Sequence, residues 1–266
     1  MINRGKHNIV GIMVDAVDYE AAVCRIAEAA RSRCALTVTA LAVHGIMTGV
    51  LDAEHKYRLN TFDLVLPDGQ PVRWALNLLH KCRLKERVYG PDLTLKVCEC
   101  AVRERLPVYF YGGTRAIIED LRKNLQDRFP ELTIAGLEAS HFRQLSPREK
   151  EGLSRRIRES GAAILFVGLG CPRQEVFAYE MSSELSMPVL SVGAAFAFHA
   201  GTLAQAPCWM QARGMEWLFR LWAEPKRLWR RYLLLNPAYV ARVVMQACGF
   251  RFRTDGQRPQ QQLRYG

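Results

Sequence analysis

The sequence predicts an α/β protein, a mostly parallel sheet flanked by helices, with a basic amphipathic helical appendage at its C-terminal end. Three observations carry this. Short apolar runs alternate with helical patterns from residue 8 to residue 192, the order of successive βαβ units. One of those runs passes through Gly168-Leu169-Gly170 and Pro172 into a helical pattern. Beyond Pro207 the chemistry changes, because four of the five tryptophans and most of the net positive charge lie there.

Taken in order, residues 8–14 read as a short strand, and Asp18 is placed to N-cap a helix over 19–31 with Ala22, Val23, Ile26 and Ala30 on one face. Residues 35–41 (ALTVTAL) form a buried strand, with a helical stretch over 42–51 at its end. The next strand, 63–66, runs into Pro67-Asp68-Gly69, and a helix over 71–79 leads away from it. A polar connector, 81–86, precedes Arg87-Val-Tyr-Gly-Pro-Asp-Leu93 and a helix to Arg105. The strand 108–111 ends in Gly112-Gly113-Thr114 before a helix to Arg128. Strands at 132–137, 163–167 and 188–192 and a helix at 147–159 complete a single Rossmann-like domain over residues 1–206. Residues 207–253 form the appendage, and 254–266, rich in Gln, Arg and Pro, are expected as a disordered end.

The net charge is +11, and between residues 213 and 264 eleven Lys or Arg face only Glu216, Glu224 and Asp255. The basic character therefore belongs to the C-terminal fifth and points to an anionic partner for it. Eight cysteines include no C-x-x-C pair and no His at zinc spacing, so they read as reduced, mostly buried thiols of a cytoplasmic protein. Asp52-Ala-Glu54 is read as surface charge, and no metal is expected. No apolar run reaches the length of a spanning helix, which leaves peripheral contact as the expected relation to a membrane.

Asp68 is the first candidate for chemistry. A carboxylate at the carboxyl end of a strand lies where open α/β sheets place their ligand crevice, which suits a catalytic base; an ordinary Asp-Gly turn is the alternative. The second stretch is Gly168-Leu-Gly-Cys-Pro-Arg-Gln-Glu175. Its glycines would let backbone amides approach an anion at the following helix N-terminus, and Gln174 and Glu175 could hold a ribose or a base edge. Neither a third dinucleotide-type glycine nor a Walker Lys-Ser is present. Gly112-Gly113-Thr114 could carry a second part of the same ligand, though a tight βα turn accounts for it. In the appendage, Trp217, Leu218, Leu221 and Trp222 share a helical face, Pro225 opens a second helix, and the arginines beside them suit a membrane interface. Packing of these aromatics on the domain is the competing account. Nucleic-acid binding ranks behind both, since base-stacking aromatics usually lie on a sheet or groove.

Several of these stretches in one order, LVLPDG with PVRWA, RVYGPDL, FYGGT, FVGLGCPRQE, VGAAFAFHAGTLAQAPCWMQ and GMEWLFRLWAEPKRLWRRY, resemble the WecG/TagA/CpsF glycosyltransferases from about residue 9 to residue 240. The resemblance implies an inverting, metal-independent transfer from a UDP-sugar to a polyprenyl-diphosphate-linked saccharide at the cytoplasmic membrane face. It implies no cofactor. Carried over by position, it assigns catalytic roles to Asp68 and Thr39, donor binding to Arg87, Gly168, Gly170, Pro172, Gln174 and Glu175, and acceptor diphosphate binding to Arg220, Arg227 and Arg230. Two positions depart from its pattern: Leu41 stands where an asparagine is usual, and Ala197 replaces the acid of a Phe-Asp-Phe run. The expected partners are the UDP-sugar, the lipid-linked acceptor and an anionic membrane surface, with a homo-oligomer left open. The rival is a non-catalytic nucleotide-binding module that docks on membrane or RNA through its tail.

Overall fold

A computed structural model describes the backbone of all 266 residues and the side chains of all but Cys208, Arg227, Arg230 and Arg231. Six strands form one parallel sheet: β3 (Leu36–Leu41), β4 (Leu64–Pro67), β5 (Val108–Gly112), β6 (Ile134–Glu138), β7 (Ile164–Gly168) and β8 (Pro188–Ser191), in the order β4-β3-β8-β7-β5-β6. Their carboxyl ends therefore open along a single edge. The order differs from the 3-2-1-4-5-6 of the dinucleotide-binding fold, because the last two strands insert at the centre of the sheet.

Helices cover both faces, as buried parallel strands require. Against one face pack α1 (Tyr19–Arg31), α5 (Gly90–Arg103), α6 (Arg115–Arg128) and α9 (Ala195–His199). Against the other lie α2 (Val43–Leu51), α3 (Ala53–Thr61), α4 (Gln70–His80), α7 (Pro147–Glu159) and α8 (Arg173–Met181). Local chemistry fixes the starts of several helices. Asp18 accepts the Ala21 N–H, Thr114 accepts that of Ile117, and Ser146 with Glu149 forms a reciprocal capping box. Asp52, expected as surface charge, accepts the N–H groups of Glu54 and His55 and so opens α3.

The N-terminal segment is an antiparallel hairpin, β1 (Asn3–Ile9) and β2 (Ile12–Val17), where a single strand was expected. It turns through Val10 and Gly11, both at positive φ, without the Asn-Gly or Asp-Gly pair that announces such turns. The hairpin shields the β4 edge of the sheet, since the Asp15 carboxylate accepts the Val65 N–H at 2.7 Å. An edge N–H is thus satisfied without extending the ladder.

The C-terminal end packs back on the core. After α10 (Cys208–Ala212), α11 (Glu216–Ala223), α12 (Pro225–Arg230) and a π-helical turn (Arg231–Leu235), the helix α13 (Asn236–Ala247) buries Tyr239 and Val243 in the core beside α2 and α4. Gln246 of α13 accepts the Val10 N–H and donates to the Asn8 carbonyl, both at 2.8 Å. That part of 207–253 is built into the domain. Residues 254–266, expected as disordered, lie along it. Gln257 N–H donates to the Ala53 carbonyl, and the Glu180 carboxylate accepts the N–H groups of Leu263 and Arg264 at 2.6 and 3.0 Å. Backbone pairing, invisible in a Gln-rich composition, holds the segment. The cysteines are free thiols among the described residues, but Cys24, Cys34 and Cys248 are exposed rather than buried.

The close approach of β5 and β7 at their ends requires glycine. A Cβ on Gly112, at φ +126°, would stand 2.6 Å from the Gly168 backbone, whereas one on Gly170, at φ +78°, would meet nothing within 4 Å. Gly112→Ala should therefore cost more than about 2 kcal/mol and Gly170→Ala about 1 kcal/mol. Urea unfolding of the two variants checks the order.

Candidate active site

Asp68 follows β4 directly. Its N–H is held by the carbonyls of Leu66 and Leu41 at 3.0 and 3.2 Å, and its Oδ1 accepts the Gly90 N–H at 2.8 Å where α5 begins. Burial pushes the carboxyl up to about 6. Arg87 draws it down, Glu216 raises it again, and the Gly90 N–H and Arg220 oppose the rise. A carboxylate with one amide for support and no cation bonded to it retains a strong pull on a proton.

Arg87, buried, is engaged elsewhere. Its Nη2 donates to Glu216 Oε2 at 2.7 Å and to Gln211 Oε1 at 3.1 Å, and its guanidinium lies 4.0 Å from the centre of the Tyr89 ring. The Tyr89 hydroxyl donates to the other Glu216 oxygen at 2.9 Å. Gln211 and Glu216 belong to α10 and α11, so this clasp fastens the appendage over the strand ends. Sequence reasoning missed Tyr89, Gln211 and Glu216. All three stand inside quoted motifs, and that was the available pointer.

Between the clasp and the sheet lies a cavity of about 900 Å³, within the range of ligand pockets. Asp68, Arg87, Gly168, Gly170, Gln174 and Arg220 all line it, as do Gly113 and Ala197. The buried Nε of Arg220 has no hydrogen-bond partner. Trp217 and Tyr232 also border the cavity, with ring centres 5.9 Å apart, while Trp222 is 80% exposed. The aromatic stripe thus divides between cavity and surface. Gly112 and Gly113 make a tight turn, with Thr114 capping α6, and Gly113 touches the cavity.

Three expected site residues do not reach the cavity surface. Pro172 precedes α8 and does not line it. Thr39 sits in a central strand between Val65 and Ser191, so its side chain is enclosed and donates to Glu175 Oε1 at 3.0 Å. Glu175 is fully buried and also takes a hydrogen bond from Gln174 at 2.8 Å. The pair forms a polar layer beneath the glycine loop rather than part of the cavity wall. Arg227 and Arg230 lie outside the described residues.

Among the described residues, one group could hold a metal ion. His55, Cys171 and Glu175 bring their ligand atoms within 4.8 Å of one another. Burial pushes His55 down to about 4, so its ring is neutral. No sequence spacing announces this group, because α3 and the loop before α8 meet only in the fold.

A strand-end carboxylate, a glycine loop and a basic clasp around one cavity match the order of motifs along the chain. Residues 7–253 match the sequence model described as the glycosyl transferase WecG/TagA/CpsF family. The chain belongs to that family. Among curated proteins it is similar to the N-acetylglucosaminyldiphosphoundecaprenol N-acetyl-beta-D-mannosaminyltransferase of Bacillus spizizenii, at 29% identity over 187 residues, which is 70% of each chain. The α/β architecture with its parallel sheet agrees with what the sequence predicts. Among the described residues, no helix of this WecG/TagA/CpsF glycosyltransferase is long and apolar enough to cross a membrane.

The raised pKa of Asp68 has a consequence for stability. The folded state binds this proton more tightly than the unfolded chain, whose carboxyl titrates near 3.8. The contribution of the group is therefore fully present below pH 3.8 and is lost as the pH rises through about 6. Asp68→Asn, which keeps the acceptor for Gly90, should stabilise the protein by about 1–2 kcal/mol at pH 7.5. The gain should vanish near pH 4, as read by denaturant unfolding at both values.

Proposed function

We propose that this chain transfers an N-acetylhexosamine-type or hexose unit from a UDP-sugar, with inversion, to a polyprenyl-diphosphate-linked saccharide at the cytoplasmic face of the plasma membrane, for cell-envelope or exopolysaccharide synthesis. The observation that carries the reading is the juxtaposition of Asp68 with the Gly168–Gly170 loop across one cavity. The relative from Bacillus spizizenii, named for mannosaminyl transfer to a diphosphoundecaprenol-linked sugar, supports the choice of acceptor class.

In this mechanism Asp68 takes the proton from the acceptor hydroxyl as its oxygen attacks the anomeric carbon, and the bond to the departing UDP breaks on the opposite side. A base titrating near 6 is charged at neutral pH and still holds a proton well. Charge building on the diphosphate is met by backbone amides of the glycine loop and by arginine, whose fork of donors fits phosphate oxygens. Arg220, with a free Nε–H at the cavity wall, is the first of these. Arg227 and Arg230 of the same segment are proposed to hold the lipid diphosphate. Thr39 acts through Glu175, fixing the floor under the loop. Trp222, Leu218 and Leu233, all exposed, face the bilayer interface as amphipathic side chains do.

Asp68→Asn should reduce turnover by about 10³-fold while UDP-sugar affinity changes little, measured by UDP release and calorimetry. Near-normal turnover would remove Asp68 from the role of base. In the wild type, kcat/KM should climb about tenfold per pH unit below 6 and level off above it. Replacing Leu218 and Trp222 together by Ser should weaken sedimentation with anionic vesicles by about tenfold. It should leave UDP-sugar binding unchanged.

A further inference from the structure

We propose that the space between α3 and the Cys171–Glu175 segment is a binding site for one zinc-class divalent ion, held by His55, Cys171 and Glu175. The inference does not depend on the transfer reaction. An imidazole nitrogen, a thiol sulfur and a carboxylate oxygen are the donor types zinc takes, and three protein ligands with a fourth position for water make a common set.

The burial pattern argues for a missing charge. His55 is 1% exposed and Glu175 0%. Both ring nitrogens of His55 and the Oε2 atom of Glu175 are buried without a hydrogen-bond partner. Polar atoms left bare in the interior lose the hydrogen bonds water would give them. The contrast within Glu175 is informative: Oε1 accepts from both Thr39 and Gln174, while Oε2 is buried without a hydrogen-bond partner, and the Cys171 side chain hydrogen-bonds the same carboxylate. Among the described residues no lysine or arginine forms an ion pair with this carboxylate. A cation bound to Oε2 and one histidine nitrogen would supply the absent partner for both.

The surroundings are those of a held ligand set. Thr39 and Gln174 orient the carboxylate from behind, and Asp52 fixes the His55 backbone by accepting its N–H at 3.0 Å. Zinc with nitrogen, oxygen and sulfur ligands draws them to about 3.5 Å apart, so atoms now within 4.8 Å need to close by at most about 1.3 Å. On binding, the Cys171 thiol gives up its proton to solvent. Cys171 also borders the cavity, whereas His55 and Glu175 do not. The ion would sit under the floor and tie the glycine loop to α3, away from the diphosphate.

The test uses the untagged full-length chain, dialysed against chelator and titrated with Zn²⁺ or Co²⁺. Expected are one ion per chain by elemental analysis, a thiolate-to-cobalt charge-transfer band, and a melting temperature that rises with added zinc. His55→Phe, which keeps the volume filled, should weaken binding by more than about tenfold, and Cys171→Ser should abolish the charge-transfer band. His141→Ala, at the exposed surface, should change neither. Circular dichroism and melting of the metal-free variants confirm that they are folded. A folded wild type that takes up no more cobalt than folded His55→Phe, or a melting temperature indifferent to zinc, would overturn the proposal. UDP-sugar binding measured on the chelated protein reports on the proposed function separately.

Discussion

The arrangement of the site depends on how one carboxylate is kept from its natural partner. Asp68 and Arg87 line the same cavity and influence each other's charge, yet the guanidinium bonds Glu216 and Gln211 instead. Were Arg87 bonded to Asp68, the carboxyl would fall below its ordinary range and lose its affinity for a proton. Glu216 takes that place. Its negative charge also adds to the upward push on Asp68, so the clasp that closes the cavity also tunes the group inside it. The cost falls on stability above about pH 6, where the buried carboxylate is ionised.

The same clasp explains why the basic segment is better described as a strap than as a tail. Its first part is fastened through Gln211 and Glu216 to Arg87 and Tyr89. After the π-helical turn, α13 is anchored by Tyr239 and Val243 in the core and by Gln246 on the N-terminal hairpin. The last thirteen residues then run along α3 and reach Glu180. Between two fixed ends, the helices from Cys208 to Arg230 expose Trp209, Trp222 and Trp229. Aromatic surface held in place by the core on either side is rigid surface, which loses less entropy on meeting a partner than a free segment would.

Much of this was legible in the sequence. The parallel strands announced themselves as continuous apolar runs because both of their faces are covered, and Asp68 stood out because a run of that kind ended in Asp-Gly. What escaped has particular causes. The helix α3 reads AEHKYRLNT, with Leu59 its one aliphatic residue beyond Ala53, and it buries His55 and Arg58 instead, so apolar periodicity could not reveal it. The hairpin lacks the usual turn pair. Glu216 lies 129 residues from Arg87, and only the strap's path over the strand ends brings them together. Thr39 and Glu175, read as catalytic and donor-binding, meet in the fold, and the central position of β3 turns Thr39 into the layer below the loop rather than toward the cavity.

That buried layer bears on how a phosphate ligand could be accommodated. Around the cavity the described acids outnumber the bases, with Asp68, Glu216 and Glu224 set against Arg87 and Arg220. A diphosphate would add negative charge to a site with no surplus, and Glu175 beneath the loop supplies no relief. Two sources of compensation are built in. Arg220 holds an unpartnered Nε–H at the wall, and the loop at Gly168 and Gly170 leaves its backbone uncovered by side chains of its own, with open space at Gly170. Amides preorganised in this way act on an anion without rearranging. A third would follow if the ligand displaced Glu216 from Arg87, since the exchange would substitute phosphate oxygens for carboxylate oxygens on the same donors. It would also withdraw a charge that raises Asp68, so ligand entry and the proton affinity of Asp68 are coupled through a single glutamate.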